Sequence, residues 1–218
     1  MQDTLKHKGM RKKLIEVLRS KGIDNEEVLS VMMEIPRHSF FFDTAFLHLA
    51  YEDKAFPIGA GETISQPYTV AFQSQLLQVN PGDKILEIGT GSGYQACVLA
   101  YLNAKVYTIE RQEELFLKTS EFLPKINFGH IRTLFGDGYK GSPRFAPFDK
   151  ILVTAGATEM PNTLLDQLKV GGIMVIPFGK ADVQRMLRIK KESPHKYIRE
   201  DHGSFAFVPF VRGVVKKH

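Results

Sequence analysis

The sequence predicts an α/β fold: a doubly wound, mostly parallel seven-stranded sheet with helices on both faces, preceded by an N-terminal helical extension. Two observations predict it. From residue 83 onward, short apolar runs alternate with helix-length segments, which is the pattern of a parallel sheet covered on both faces. A glycine-rich loop directly follows the first of these runs, at the position where such sheets bind their ligands.

The sheet is predicted from five apolar runs and an edge pair. The five runs are Lys84–Ile88, Lys105–Glu110, Ile131–Phe135, Lys150–Thr154 and Ile173–Pro177. Helices are predicted between them at Tyr94–Asn103, Gln112–Leu123 and Pro161–Leu168. No long helix separates the last two runs, Met186–Lys190 and Ser204–Val211, so we expect an antiparallel pair at one edge.

The first eighty residues predict the helical extension. Residues 3–34 fit two helices, and Pro36 ends the second. Residues 50–65 contain prolines and glycines and predict an ordered loop, after which Gln66–Gln78 predicts a helix with Pro67 in its first turn. We expect a single domain over residues 1–218, with the extension at 1–80 and the α/β core at 81–218.

The composition is that of a globular protein, with 218 residues, 43% hydrophobic residues, 24% charged residues and a net charge of +5. We see no apolar run long enough for a membrane span and no apolar stretch typical of a secretory signal. The single cysteine, Cys97, excludes an internal disulfide, so we expect a cytoplasmic protein. Charges of both signs are scattered, which favours a solvated surface; we expect a monomer without nucleic-acid or membrane partners.

The glycine-rich loop lies between the first core strand and the next helix. Gly89, Gly91 and Gly93 have no Cβ, so they permit a tight turn and allow a ligand to lie against the backbone. Their Gly-x-Gly-x-Gly spacing differs from the Gly-x-Gly-x-x-Gly of dinucleotide-binding folds. Taken alone, the loop is also compatible with a plain turn between a strand and a helix.

Two acids follow later strands. Glu110 ends the second core strand, where a carboxylate can accept hydrogen bonds from the hydroxyls of a ribose, although an acid there also suits the start of the next helix. Asp137 follows the third strand and could accept a hydrogen bond from an adenine amino group, although Asp137-Gly138 is also an ordinary turn sequence. The loop and Glu110 together predict nucleoside binding.

This combination resembles the class I S-adenosylmethionine-dependent methyltransferases over roughly residues 83–180. The resemblance implies S-adenosylmethionine as methyl donor, S-adenosylhomocysteine as product and a Rossmann-like fold. No His/Cys cluster has metal-ligand spacing, so we expect no metal. By this resemblance, the cofactor-binding residues are Glu87, Gly89, Thr90, Gly91, Ser92, Gly93, Glu110, Asp137 and Gly138.

A second set of motifs resembles the protein-L-isoaspartate (D-aspartate) O-methyltransferases, from about residue 31 onward. Its most specific part is the Thr-Ile-Ser-Gln-Pro-Tyr run at residues 63–68, and it also includes residues 35–40, 175–179 and 207–210. The resemblance implies methylation of the free carboxylate of L-isoaspartyl and D-aspartyl residues in damaged proteins. The resulting methyl ester then closes to a succinimide.

The same resemblance assigns the acceptor site. It makes Ser65 the catalytic residue and places Ile64, Gln66, Pro67, Tyr68, Val208 and Pro209 at the substrate. A carboxylate with a pKa near ~4 is already ionised at neutral pH and needs no general base. We therefore interpret Ser65 as an orienting hydrogen-bond donor and not a nucleophile; a helix cap is its alternative role.

Three other functions are compatible with parts of the sequence. A methyltransferase acting on RNA or a small molecule would share the cofactor motifs, but Val153–Ala157 replaces the Asn-Pro-Pro-Tyr-type run common in amino methylation. An NAD-dependent oxidoreductase would usually need a substrate domain, and none is visible. A nucleoside-binding module without catalysis fits poorly with an intact Thr63–Ala71 run beside the glycine loop.

Overall fold

The structure is a computed structural model that describes residues 2–180 and 183–217. Its helices are α1 (Leu5–Ser20), α2 (Glu26–Glu34), α3 (Pro67–Leu77), α4 (Tyr94–Tyr101), α5 (Glu113–Lys125) and α6 (Asn162–Gln167). Its strands are β1 (Phe56–Gly59), β2 (Glu62–Ile64), β3 (Lys84–Ile88), β4 (Lys105–Glu110), β5 (Arg132–Phe135), β6 (Phe148–Val153), β7 (Leu168–Phe178), β8 (Gln184–Ser193) and β9 (Lys196–Phe205). None of the described helices is long and apolar enough to cross a membrane.

The main sheet has seven strands in the order β5-β4-β3-β6-β7-β8-β9. The five strands from β5 to β7 run parallel to their neighbours, and β8 and β9 are added antiparallel at one edge. The predicted doubly wound, mostly parallel seven-stranded sheet is therefore confirmed. Strand β3 lies between β4 and β6, so the chain changes direction across the sheet at β3, and a crevice opens at the carboxyl ends of these strands.

Helices cover both faces of this sheet, as predicted. Consecutive side chains of a strand point to opposite faces, so Leu152 joins one hydrophobic cluster and its neighbours Ile151 and Val153 join the other. Residues from α1 to α5 complete the first cluster. The second is completed by Leu164 and Leu165 of α6 and by the connection between β5 and β6. Both faces of the central strands are thus largely excluded from water.

The N-terminal extension is helical, as predicted, and supports α3. Helix α1 begins with a capping box between Thr4 and His7, and Asn25 caps α2 by accepting from the Val28 amide at 3.0 Å. Both helices contact α3. Leu18 of α1 is fully buried, so the extension shares the core of the sheet domain.

Two expectations about connections are wrong. Residues 50–65, expected to be a loop, contain the antiparallel hairpin β1–β2, which pairs Phe56 with Ile64. The last strand is Lys196–Phe205, whereas an edge strand was expected at Ser204–Val211. Residues 206–211 of that segment instead lie at the carboxyl ends of the parallel strands, next to Gly156.

The composition of β9 explains why the edge strand was expected at the wrong residues. Its central residues are charged and largely exposed, because β9 is the outermost strand and pairs only with β8. Cross-strand ion pairs join Arg185 to Asp201 at 2.8 Å and Arg188 to Glu200 at 2.9 Å. A search for apolar runs overlooks a strand of this kind, since charged side chains are a common protection for exposed edges.

Truncating the core of α1 should destabilise the whole domain. We expect Leu18→Ala to lower the free energy of unfolding by about 2–5 kcal/mol, because it leaves a cavity where a fully buried side chain stood. The matched control is Val17→Ala on the same helix, where the side chain is 40% exposed and the expected loss is within about 0.5 kcal/mol. Urea unfolding measures both, and equal losses would show that the extension does not share the core.

Candidate functional site

A cavity of about 270 Å³ lies at the carboxyl ends of β3, β4 and β6. Three segments surround it: the glycine-rich loop after β3, the stretch from β2 into α3, and residues 206–211 that follow β9. The sheet forms its floor through Ile88 and Ile109, which end β3 and β4. The cavity therefore occupies the crevice that the strand order creates.

Gly89 turns the chain sharply as it leaves β3. Its φ of +97° lies in the region that favours glycine, and an added Cβ would stand 2.5 Å from the Thr154 hydroxyl. That hydroxyl donates to the carbonyl oxygens of Ile88 at 2.9 Å and Gly89 at 3.0 Å. Thr154, directly after β6, thereby fixes the start of the loop.

The end of the loop is held against α5. Gly93 has a φ of +83°, and an added Cβ would lie 2.9 Å from the Thr119 methyl group. The Thr119 hydroxyl donates to the Gly91 carbonyl at 2.6 Å. Gly93 thus allows the start of α4 to lie close to α5. Thr90, Gly91 and Ser92, by contrast, line the cavity.

Glu110 is buried at the end of β4 and holds the loop in place. One carboxylate oxygen accepts from the Gly91 amide at 2.8 Å, and the other accepts from the Gln112 amide at 2.9 Å. Burial raises the pKa of Glu110, and these two amides oppose that effect. Each carboxylate oxygen has a further lone pair, so Glu110 can also accept hydrogen bonds from a ligand in the cavity.

Glu87 lies beneath the loop and does not line the cavity. The Thr108 hydroxyl donates to its Oε2 at 2.5 Å, and the Thr90 hydroxyl lies 2.7 Å from that of Thr108. Oε1 has no hydrogen-bond partner among the described residues. Burial raises the pKa of Glu87 to about 8, with a smaller contribution from the nearby charge of Glu110.

Ser65 faces the cavity from the connection between β2 and α3. Its hydroxyl makes no hydrogen bond with any part of the chain in 2–180 or 183–217. It does not cap α3, because the capping position belongs to Gln66 and the Tyr68 amide donates to Asp53 at 2.7 Å. The alternative role of Ser65 as a helix cap is therefore wrong.

The segment after β9 forms one wall of the cavity. Val208 accepts from the Gly156 amide at 2.8 Å, and the Phe210 amide donates to the Gly156 carbonyl at the same distance. Phe210 stacks on Tyr139, with ring centroids 3.9 Å apart. These contacts hold Val208 and Pro209 across the cavity, next to the loop that follows β6.

Most of the residues expected from the sequence line one cavity. They are Ile64, Ser65, Gln66, Gly89, Thr90, Gly91, Ser92, Glu110, Gly138, Val208 and Pro209. Five others do not line it: Pro67, Tyr68, Glu87, Gly93 and Asp137. The Asp137 carboxylate accepts from the Tyr139 amide at 2.9 Å, which is the turn geometry given above as the alternative. The roles of all these residues stay predictions.

Several cavity residues were given no role from the sequence. Among them are Thr154 and Ala155 after β6, Tyr94 and Gln95 at the start of α4, and Phe207. Thr154 could have been proposed because it ends a predicted strand, and Tyr94 because it begins the helix after the glycine loop. The signal for Phe207 was the motif at residues 207–210, which also contains the predicted substrate residues Val208 and Pro209.

A separate cluster of possible metal ligands lies on the N-terminal extension. Asp3, His7 and His38 offer ligand atoms within 4.8 Å of one another. Arg11 already forms an ion pair with Asp3 at 2.9 Å, and the Thr4 amide donates to the His7 ring at 3.3 Å. None of the three lines the cavity.

The chain is similar to known proteins over nearly its whole length. Residues 9–215 match the family model described as protein-L-isoaspartate(D-aspartate) O-methyltransferase. The chain belongs to this family. The protein-L-isoaspartate O-methyltransferase of Flavobacterium johnsoniae is 56% identical over 211 residues, which are 97% of this chain and 98% of that protein. The Christiangramia forsetii protein of the same name is 54% identical over equal shares of both chains.

Solved structures of the protein-L-isoaspartate O-methyltransferase family have the same fold. One has a TM-score of 0.82 and 28% identity; the alignment covers 91% of this chain, which spans 65% of that chain's length. A second, from Plasmodium falciparum, was solved with S-adenosyl-L-homocysteine; it has a TM-score of 0.80 and 25% identity, covering 92% of this chain and 98% of the other. The family assigned from the sequence is confirmed.

Glu87 should make the stability of the protein depend on pH. Its folded-state pKa of about 8 lies above its unfolded value near ~4.3, so the folded state binds more protons between these values. Its contribution to the free energy of unfolding therefore falls as pH rises from about 5 to 8, by at most ~1.4 kcal/mol per unit.

We expect Glu87→Gln to remove this decline, so that the variant gains stability relative to the parent protein as pH rises. Urea unfolding at about pH 5, 6.5 and 8 measures the difference. Glu121→Gln, at an exposed carboxylate paired with Lys125, is the control and should follow the parent curve. Parallel curves for Glu87→Gln and the parent protein would contradict the prediction.

Proposed function

We propose that the protein transfers a methyl group from S-adenosylmethionine to the free carboxylate of L-isoaspartyl and D-aspartyl residues in damaged proteins. The methyl ester then closes to a succinimide, as the family resemblance implies. The observation that carries the proposal is the position of Ser65, which lines the same cavity as Glu110 and the glycine loop and whose hydroxyl has no hydrogen-bond partner among the described residues. Donor and acceptor would thus share one cavity.

The residues present fit the methyl donor. Glu110 offers free lone pairs to a ribose, and Gly89 and Gly91 line the cavity, where a ligand can lie against their backbone. Gly138 lies close to Phe210, where an adenine ring would find an apolar neighbour. When bound, S-adenosylmethionine supplies an electrophilic methyl group on a positively charged sulfur. Glu110, Gly89 to Ser92 and Gly138 would hold it.

On the acceptor side, the chain has to position a carboxylate and exclude water. The acceptor is ionised at neutral pH, so no side chain has to remove a proton from it. The Ser65 hydroxyl can donate to one carboxylate oxygen and thereby turn the other toward the methyl group. Alignment of this kind supplies roughly 7–11 kcal/mol of a barrier in favourable cases.

Backbone groups of residues 206–211 complete the acceptor side. The hydrogen bonds to Gly156 and the stacking of Phe210 on Tyr139 hold this segment over the cavity, where Val208 and Pro209 would contact the peptide. An extended segment at the mouth of a site can present main-chain groups to a peptide of any sequence. This suits an enzyme that must accept damage in many different proteins.

Methylation of RNA or of a small molecule remains the second candidate for the cofactor site. The apolar Val208-Pro209 segment and the lack of an Asn-Pro-Pro-Tyr-type run at Val153–Ala157 favour a peptide acceptor. We further propose that the enzyme acts as a monomer in the cytoplasm. The buried position of its only cysteine, Cys97, is compatible with this proposal.

Paired peptides test the reaction directly. With labelled S-adenosylmethionine, we expect methyl transfer to a peptide containing an isoaspartyl linkage and none to the same peptide with a normal aspartyl linkage. The two differ only in which carboxylate is free, so the comparison isolates recognition of the misplaced group. Total RNA serves as the competing acceptor. Equal labelling of both peptides, or labelling of RNA alone, would contradict the proposal.

Ser65→Ala tests the acceptor site. We expect a fall in kcat/KM for the isoaspartyl peptide of about 10- to 100-fold, because one hydrogen bond that orients the carboxylate is lost. Affinity for S-adenosylhomocysteine, measured by calorimetry, should be unchanged. Ser20→Ala, at an exposed serine of α1, is the control. Unchanged turnover in Ser65→Ala would rule out the role assigned to Ser65.

A further inference from the structure

Arg37 is a fully buried arginine directly behind the acceptor side of the cavity. It has no exposed surface, and its Nε donates to the Ala50 carbonyl at 3.0 Å. Its Nη2 donates to the backbone carbonyl of Ser65 at 2.8 Å. The buried guanidinium thus holds the backbone of Ser65, which lines the cavity.

The charge of Arg37 is not neutralised by an ion pair. Within residues 2–180 and 183–217, no carboxylate lies within ion-pair distance of it, and its Nη1 has no hydrogen-bond partner there. The guanidinium carbon lies 4.8 Å from the centre of the Tyr94 ring, which offers partial compensation. Burial lowers the pKa of Arg37 to about 10, so it remains protonated at neutral pH.

A buried charge without an ion-pair partner is costly, and an apolar side chain would fill the same core space more cheaply. The planar guanidinium, unlike an apolar side chain, can donate hydrogen bonds to two different segments of the chain at once. Those segments end at Ala50 and Ser65, on either side of the hairpin β1–β2. Arg37 therefore positions the residue that follows the hairpin, Ser65, at the cavity.

A second contact restrains the same segment from its other end. Asp53 accepts from the Tyr68 amide at 2.7 Å and from the Gln66 side chain at 3.1 Å. Ser65 is held by Arg37 and residues 66–68 are held by Asp53, so the start of α3 has little freedom to move. The Ser65 hydroxyl, by contrast, is not used in this network.

We propose that Arg37 is a positioning residue for methyl transfer, which fixes the Ser65 hydroxyl at the acceptor carboxylate by holding the Ser65 backbone carbonyl. This inference rests on the proposed function. It assigns Arg37 no contact with substrate, since Arg37 does not line the cavity. Its effect on catalysis passes through Ser65.

A double-mutant cycle separates positioning from mere support of the core. Arg37→Lys keeps the charge but cannot reproduce both hydrogen bonds of the planar fork. We expect kcat/KM for the isoaspartyl peptide to fall by about 10- to 100-fold, with unchanged affinity for S-adenosylhomocysteine. In the Ser65→Ala background, the same substitution should have little further effect, because residues acting as a unit are not additive.

Arg11→Lys is the matched control. Arg11 is also buried, at 3% exposure, and it joins Met33, Tyr51 and Asp3 in the N-terminal extension without touching Ser65. Its substitution should lower thermal stability but leave kcat/KM unchanged in folded protein. Should Arg37→Lys not fold, Arg37→Gln replaces it in the same cycle, since glutamine is smaller and neutral and retains a hydrogen-bond donor.

The outcomes distinguish the inference from the function on which it rests. If the parent protein does not methylate the isoaspartyl peptide, the proposed function fails, and this inference fails with it. If the parent protein is active but the Arg37 variant keeps its kcat/KM, the inference alone fails. It also fails if the losses from Arg37 and Ser65 substitutions simply add. A loss at Arg37 that disappears in the Ser65→Ala background supports it.

Discussion

The hydrogen bond between the Gly91 amide and the buried Glu110 carboxylate is the interaction on which the cofactor side of the site depends. It joins the loop after β3 to the end of β4, so two neighbouring strands present their ends as one surface. Gly89 begins this arrangement by turning the chain with a positive φ, in a space that a Cβ could not share with Thr154. The Gly89 and Thr90 amides also donate to the Ile109 carbonyl, so the loop and the end of β4 are joined by backbone bonds as well as by Glu110.

Acidic groups and a basic group are buried on the two sides of this cavity. Glu87 and Glu110 lie on the side assigned to a positively charged sulfur donor, and Arg37 lies behind the side assigned to a negatively charged acceptor. Burial shifts the pKa of each group toward its neutral form: upward for the acids and downward for the arginine. A positively charged ligand would favour the ionised form of Glu110, and a negatively charged one would favour the ionised form of Arg37, so these shifts agree with the proposed chemistry.

Much of the sheet and its glycine loop could be predicted from the sequence, because buried parallel strands leave apolar runs and tight turns leave glycines. Glu110 and Ser65 could be placed because short motifs tie each to a strand end or to the start of a helix. The hairpin β1–β2 and the charged strand β9 could not, since neither carries a long apolar run. The role of Arg37 could not be predicted either. It binds the backbone carbonyls of Ala50 and Ser65, and every residue has such a carbonyl, so the sequence does not reveal the contact.

A crystal structure with S-adenosylhomocysteine and an isoaspartyl peptide bound together tests the central claim most directly. The account predicts that the ribose hydroxyls lie on Glu110, while the peptide carboxylate accepts from Ser65 and faces the sulfur. It would be contradicted by a nucleoside bound away from Glu110 and Gly91, or by a peptide whose carboxylate lies out of reach of the Ser65 hydroxyl.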